Sequence, residues 1–89
     1  MSRAESLEAQ IRALLHDHGR LNKPAGQIDI DADLYQVGMT SHASVNVMLA
    51  LEGAFDVEFP DHMLKRSIFN SIASIRDALA ELEQVRTMR

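Results

Sequence analysis

The adjacent residues Ser41 and His42 are the pair in this sequence that most resembles a catalytic nucleophile and its base. A serine needs a neighbouring base to become a strong nucleophile, and that base needs a third group to orient it. Apolar residues recur at helical spacing after Ser41, and adjacent residues of a helix point about 100° apart. The sequence positions no third group for the imidazole. We therefore expect no catalytic pair here, and no enzymatic activity from this chain.

The start of a helix gives Ser41 a second chemical possibility. The first turn of a helix leaves backbone N–H groups unpaired and carries partial positive charge. A serine oxygen at that point is exposed, and a phosphate joined to it would lie in a favourable field. Ser41 is therefore a candidate for covalent attachment. Spacing alone also allows the more common case of an ordinary capping serine, because helices prefer to begin with Ser or Thr.

A run of alternating acidic residues, Asp29, Asp31 and Asp33, supplies oxygen atoms at the first three ligand positions of a calcium loop. The remaining positions do not fit an EF-hand, because Leu34 replaces the glycine at position six and Thr40 replaces the glutamate at position twelve. We expect no metal here. The alternative is a turn in which Asp31 or Asp33 caps a short helical segment that follows.

Composition excludes several other classes of protein. The chain has 89 residues, a net charge of −4, no Trp and one Tyr, which disfavours nucleic-acid binding. The absence of cysteine rules out disulfides and Cys-ligated zinc. His16 and His18 lie two apart and cannot share a helix face, so they are not a metal pair. No segment reaches membrane-spanning length and no signal-like apolar run begins the chain, so we expect a cytoplasmic location.

Hydrophobic spacing predicts an all-α domain. It comprises residues 1–89, with a core at about 3–85, and a chain of this size more often carries or binds than catalyses. Ser2 and Glu5 fit a capping box for the first helix, and Gly19 should end it. The predicted four-helix bundle has three main helices, a short third helix and a long first loop. Its elements are helices at about 3–17, 41–55 and 61–66, a loop at 19–40, and a last helix capped by Asn70 and Ser71.

The second helix should pack with one face and leave a neutral face exposed. Gly53 within it predicts either a close packing contact or fraying of the last turn. Glu52 is the only formal charge on the other face, and a neutral, mildly apolar face is a candidate docking surface. The expected core residues are Val45, Met48, Leu49, Leu51 and Phe55, and the expected outer residues are His42, Ala43, Asn46, Val47 and Ala50. In the long loop, the expected anchors are Ile28, Ile30, Leu34 and Val37.

Several short motifs occur in order along the chain: Asp33-Leu34, Val37-Gly38, Ser41, Leu51-Glu52, Phe55, Phe59-Pro60 and the segment 69–75. In this order and at this spacing, they make the chain resemble the acyl carrier protein family. The resemblance implies that Ser41 receives 4′-phosphopantetheine from coenzyme A through a phosphopantetheinyl transferase. The thiol of this arm would carry an acyl group as a thioester. It further implies a monomeric carrier that presents its cargo to successive enzymes.

The residues around Ser41 depart from the usual family pattern. Thr40-Ser41-His42 replaces Asp-Ser-Leu, although Thr40 can still cap the helix. The second helix lacks the family's acidic face, so we expect recognition by shape and apolar contact, with weak salt dependence. His42 is either an ordinary surface residue or a contact for the phosphodiester or a partner, and the sequence leaves both open. The expected recognition residues are Met39, Thr40, His42, Val45 and Asn46.

This neutral variant is similar to a small subset of stand-alone carriers. They are loaded by truncated homologues of class II aminoacyl-tRNA synthetases, the amino acid:carrier protein ligases. The implied cargo is a small aminoacyl group such as glycyl or alanyl. Two alternatives stay open: a fatty-acyl or polyketide carrier, and an unmodified helical interaction module that docks through the neutral face.

Overall fold

In the computed structural model, which describes residues 3–87 and the side chains of residues 3–84, the chain forms four α-helices and two 3₁₀ turns. No strand occurs within residues 3–87. The all-α prediction is therefore confirmed. The elements in order are α1 (Arg3–His18), a 3₁₀ turn (Ala25–Gln27), α2 (Ser41–Phe55), a 3₁₀ turn (Asp61–Met63), α3 (Arg66–Phe69) and α4 (Ile72–Thr87).

Helix α1 ends where the sequence predicts. The backbone N–H of Gly19 donates to the carbonyl oxygen of Leu15 at 2.8 Å. A Cβ at position 19 would meet that same oxygen at 2.8 Å, so only glycine fits. The left-handed residue that turns the chain away is Arg20, with φ of 54°. The capping box predicted for the other end involves Ser2, which lies outside the described residues.

Helix α2 packs on α1 with a different face from the predicted one. Ala43, Val47 and Leu51 are buried, whereas Val45 is 50% exposed and Leu49 is 55% exposed. The predicted burial was therefore correct for Leu51, and it was wrong for the other four residues. Both stripes have helical spacing, and the small side chain of Ala43 lets the start of α2 approach the core closely. Two other residues expected in the core are partly buried against it: Met48 and Phe55.

Gly53 lies in the interior of α2 without a packing role. It is exposed, and a Cβ added there would meet nothing within 4 Å, so the expected close contact is absent. Replacing Gly53 with alanine should therefore raise the free energy of unfolding by up to about 1 kcal/mol, through helix propensity alone. Urea denaturation followed by circular dichroism measures this. Gly26→Ala is the control, because Gly26 is equally open but lies in a three-residue 3₁₀ turn. A lower stability for Gly53→Ala would contradict the prediction.

The short third helix is displaced from its predicted position. A 3₁₀ turn occupies Asp61–Met63, and α3 begins only at Arg66, after Lys65 adopts an extended conformation. Aromatic packing accounts for the shift. The rings of Phe59 and Phe69 meet edge to face with centroids 5.3 Å apart, and this contact needs the helical turn at 66–69.

The long loop is fixed to the core, as predicted. Ile28 and Leu34 are buried, and the other two expected anchors, Ile30 and Val37, pack partly buried against the core. The backbone N–H of Leu34 also donates to the carbonyl of Asn70 at 2.7 Å, which joins the loop to the start of α4. From α1, the guanidinium of Arg12 donates to the carbonyls of Ala25 and Ile28, each at 2.6 Å. The loop is thus fastened to two helices by polar contacts as well as apolar ones.

Helix α4 completes the core. Its buried residues are Ile72, Ile75, Ala78 and Leu79, and Leu82 packs against them. The expected cap is present, since the hydroxyl of Ser71 accepts a hydrogen bond from the N–H of Ser74 at 3.1 Å. Arg76 pairs with Glu8 of α1 at 2.9 Å. Its hydrogen bonds, first to Glu8 and then to Asp77, raise the pKa of Arg76. The apolar spacing of the sequence also predicts Val85 on this stripe, but its side chain lies outside the described side chains.

Candidate functional site

Ser41 is the first residue of α2, and its side chain is exposed. The residue that caps the helix is Thr40, whose Oγ1 accepts from the N–H of Ala43 at 3.0 Å. Capping by Thr40 was expected. Within residues 3–87 the Oγ of Ser41 takes part in no hydrogen bond, because its neighbour performs the capping. The hydroxyl of Ser41 therefore lies at the positive end of a 15-residue helix without a hydrogen-bond partner among the described residues.

A tight turn at Gly38 directs the chain into α2. Gly38 has a φ of 109°, which L-residues rarely adopt. A Cβ at that position would also meet the N–H of Asn22 at 3.2 Å and the carbonyl of Arg20 at 3.4 Å. The N–H of Asn22 donates to the carbonyl of Val37 at 2.8 Å, so the two ends of the long loop run side by side. The glycine three residues before Ser41 thus has a clear backbone function.

Four of the five expected recognition residues lie at or near the surface beside Ser41. Thr40, His42 and Val45 are exposed and Asn46 is partly exposed. No described residue forms a hydrogen bond or ion pair with the ring of His42. The fifth, Met39, is only 2% exposed and packs in the core, so its side chain is not available to a partner.

A groove of about 430 Å³ lies between the first half of α2, including Ser41, and residues 64–69, which include α3. Its apolar lining includes Val45, Met48 and Phe69. Tyr35, Lys65 and Arg66 form a polar wall, in which the guanidinium carbon of Arg66 lies 3.9 Å from the centroid of the Tyr35 ring. Lys65 and Arg66 are exposed, and nothing in the sequence indicated the contact between Arg66 and Tyr35.

The exposed surface of α2 offers no free carboxylate. Glu52 is the only acidic residue in the helix, and its Oε2 accepts the backbone N–H of Phe59 at 2.8 Å. That bond fastens the connector after α2 to the helix. The exposed residues of α2 include no acidic side chain, and they include the apolar side chains of Val45 and Leu49.

The acidic run in the long loop stabilises turns. Oδ1 of Asp33 accepts from the N–H of Tyr35 at 3.0 Å, as expected for a capping residue. Oδ1 of Asp29 accepts from the N–H of Asp31 at the same distance. Among the residues the structure describes, no group of three or more His, Asp or Glu side chains could hold a metal ion. None of the helices in that part of the chain combines the length and apolar character needed to cross a bilayer.

The helical bundle, the turn at Gly38 and the exposed serine are the features of a carrier protein, and the comparison with known families agrees. The chain belongs to the family defined by the phosphopantetheine attachment site, whose profile matches residues 9–82. Members of this family are carriers rather than enzymes, and their covalent prosthetic group is 4′-phosphopantetheine. The expected family, cofactor and lack of catalytic activity are thereby confirmed.

Individual proteins of known type or structure are similar to this chain over most of its length. The chain is similar to the aminoacyl carrier protein of Agrobacterium fabrum, at 47% identity over 73 residues, covering 82% of this chain and 88% of the relative. It is also similar to a chain in the crystal structure of an engineered Bradyrhizobium japonicum glycine:[carrier protein] ligase with AMP and the carrier protein from Agrobacterium tumefaciens. That match has 46% identity and a TM-score of 0.80, and it covers 82% of this chain and 97% of the other.

A third similarity is to a chain in the structure of the Bradyrhizobium japonicum glycine:[carrier protein] ligase with glycylated carrier protein. The identity is 26% and the TM-score is 0.71, with 82% of this chain and 97% of the other covered. The bundle of the acyl carrier protein type, predicted from the sequence, is thereby confirmed.

Proposed function

We propose that this chain is a single-domain carrier in which Ser41 bears 4′-phosphopantetheine, and that the arm carries a small aminoacyl group. The observation that carries this proposal is the exposed hydroxyl of Ser41 at the first position of α2, which the Thr40 cap leaves uncommitted. A phosphopantetheinyl transferase would join Ser41 Oγ to the pantetheine phosphate of coenzyme A. This breaks the diphosphate bond and releases adenosine 3′,5′-bisphosphate.

The residues around Ser41 fit such an arm. The groove of about 430 Å³ is within the range of about 300–1,000 Å³ for small-molecule sites. Val45, Met48 and Phe69 would supply apolar contacts for the arm, and Tyr35, Lys65 and Arg66 line the same groove. When bound, the arm supplies a thiol that forms a thioester with the cargo. The protein's own part is to hold the arm at one end and present it.

A class II synthetase-like amino acid:carrier protein ligase is the loading partner in this proposal. Both solved structures described above contain a glycine:[carrier protein] ligase, and one of them contains glycylated carrier protein. The neutral surface of α2 suits a partner that docks by apolar contact. Thr40, His42, Val45 and Asn46 border Ser41 on this surface. We propose glycine or alanine as the cargo of the arm and the cytoplasm as the location of the protein.

The proposal is tested by loading the chain in two steps and measuring its intact mass after each. Incubation with coenzyme A and a broad-specificity phosphopantetheinyl transferase should add one arm. Incubation of the product with ATP, glycine and a glycine:[carrier protein] ligase should then add one glycyl group that hydroxylamine removes. A chain that takes no arm would instead be an interaction module. A chain that takes the arm but accepts only fatty-acyl or polyketide groups would refute the aminoacyl cargo.

The exposed apolar side chain of Leu49 should contribute to ligase recognition. Replacing Leu49 with aspartate places a charge on the neutral face, and we expect kcat/KM for glycyl loading to fall by about tenfold, the effect of losing 1.4 kcal/mol at an interface. Stability should change by less than about 0.5 kcal/mol, because the side chain is 55% exposed. Ala80→Asp is the control, since it adds the same charge at an exposed position of α4. Equal loading by both variants would remove Leu49 from the interface.

A further inference from the structure

The groove contains two cations that form no ion pair with the described residues. Among the other described lysines and arginines, Arg20 and Lys23 also lack a polar partner, but they do not line this groove. Lys65 and Arg66 line the groove that also contains Ser41, and both are exposed. Neither forms an ion pair with any residue of the described chain. By contrast, Arg3 and Arg76 pair with carboxylates, and Arg12 donates to backbone carbonyls. The chain is acidic overall, with a net charge of −4, so an unpaired pair of cations beside Ser41 is a local reversal of its charge.

Arg66 is also held in place. Its guanidinium carbon lies 3.9 Å from the centroid of the Tyr35 ring, within the range of a cation–π contact. Tyr35 belongs to the loop that precedes α2, and its N–H is itself fixed by the carboxylate of Asp33 at 3.0 Å. An arginine stacked in this way keeps its N–H donors free at the edge of the guanidinium plane. Arg66 therefore offers an ordered set of donors to an anion in the groove.

We propose that Arg66, assisted by Lys65, binds the phosphodiester that links the arm to Ser41. This inference rests on the proposed function, since it requires the arm to be attached at Ser41. Hydrogen bonds between arginine and phosphate are among the strongest in proteins because both partners are charged. The phosphodiester keeps one negative charge after attachment, and tethering at Ser41 holds that charge at the groove that Arg66 and Lys65 line.

No carboxylate competes for these cations within the groove. Among the described residues that line the groove, only Lys65 and Arg66 have charged side chains. Thr40 beside Ser41 is uncharged, Glu52 of α2 is engaged by the N–H of Phe59, and Asp33 is engaged by the N–H of Tyr35. A phosphate at Ser41 therefore meets cations on the wall facing α2. Binding there would set the direction of the arm, away from Ser41 and along the apolar lining of the groove.

The test compares apo and holo protein by NMR, with intact mass used first to establish that each sample carries one arm at Ser41. In the wild type, loading should shift the Nε–Hε signal of Arg66. The ³¹P signal of the phosphodiester should depend on salt, moving toward its value in free pantetheine phosphodiester at about 1 M salt, where the screening length is about 3 Å. In Arg66→Gln the ³¹P signal should lose most of this salt dependence, and in Lys65→Gln part of it.

Matched variants distinguish phosphate binding by Arg66 from a general effect of the protein's positive charges on the ³¹P signal. Lys23→Gln removes an exposed lysine outside the groove and should leave the ³¹P signal unchanged. Tyr35→Leu keeps Arg66 but removes the ring beneath it, and it should reduce the salt dependence, whereas Tyr35→Phe should preserve it. Loaded variants with the same ³¹P signal and salt dependence as the wild type would overturn this inference while leaving the proposed function intact. Failure to take an arm, or attachment away from Ser41, would overturn both.

Discussion

Ser41→Ala should abolish phosphopantetheinylation completely, because it removes the only oxygen through which the arm can be attached in the proposed reaction. The variant should still fold with nearly unchanged stability. Within residues 3–87 the Oγ of Ser41 makes no hydrogen bond, and the N–H of Ala43 is satisfied by Thr40. Intact mass after incubation with coenzyme A and transferase measures the loss. Thermal unfolding followed by circular dichroism should give a Tm within a few degrees of the wild type.

The matched control is Ser44→Ala. Ser44 lies one turn further along α2, lines the same groove, and donates its hydroxyl to the carbonyl of Ser41 at 2.7 Å. If an exposed hydroxyl near the helix start were sufficient, the transferase would modify Ser44 when Ser41 is absent. We expect full modification of Ser44→Ala and none of Ser41→Ala. Residual modification of Ser41→Ala would show that the attachment residue had been assigned incorrectly.

The expectation that Ser41 bears the arm came from the motifs that resemble the acyl carrier protein family, whereas its place at the start of a helix was predictable from local features. A positive φ at Gly38 and a capping hydroxyl at Thr40 each depend on only a few neighbouring residues. Helices α1 and α4 were predictable for a similar reason. Each carries one apolar stripe with charged residues on the other faces, so the buried side could be read directly.

Helix α2 shows where this reasoning fails. Its apolar residues occur almost all round the helix, and its single acidic residue, Glu52, bonds to the backbone at Phe59. Without charges to mark the exposed side, Val45 and Leu49 have the same helical spacing as Val47 and Leu51. The choice between the two stripes depends on the fit against α1. The packing leaves Val45 and Leu49 exposed on α2, where they can form part of an apolar docking surface.

The groove could not be predicted because its walls are distant in sequence. Tyr35 and Arg66 are 31 positions apart, and their contact depends on where α3 begins. The predicted helix at 61–66 placed Arg66 at the end of a helix, whereas packing of Phe59 against Phe69 places it at the start of one. Because the predicted position of this short helix was wrong by a few residues, the sequence did not indicate the contact between Tyr35 and Arg66 that forms one wall of the groove.

Arg12→Met should lower the free energy of unfolding by about 2–4 kcal/mol, because it removes two hydrogen bonds from a charged donor and leaves two carbonyls without it. The carbonyls belong to Ala25 and Ile28, whose side chains are buried, and each accepts from Arg12 at 2.6 Å. A small domain has a thin core, so this loss is a large fraction of its total stability. Urea denaturation of the apo protein measures it, and methionine retains most of the apolar stem of Arg12.

Two comparisons identify the cause of that loss. Arg20→Met removes an exposed arginine that makes no hydrogen bond within residues 3–87, and it should change stability by less than about 0.5 kcal/mol. Hydrogen exchange should then locate the effect of Arg12→Met, with the amides of Ile28 and Asn22 exchanging faster before the core amides of α1 do. Uniform acceleration throughout the bundle would mean that Arg12 supports the whole core. Selective acceleration in the loop would mean that Arg12 holds the segment whose closing turn at Gly38 places Ser41 at the start of α2.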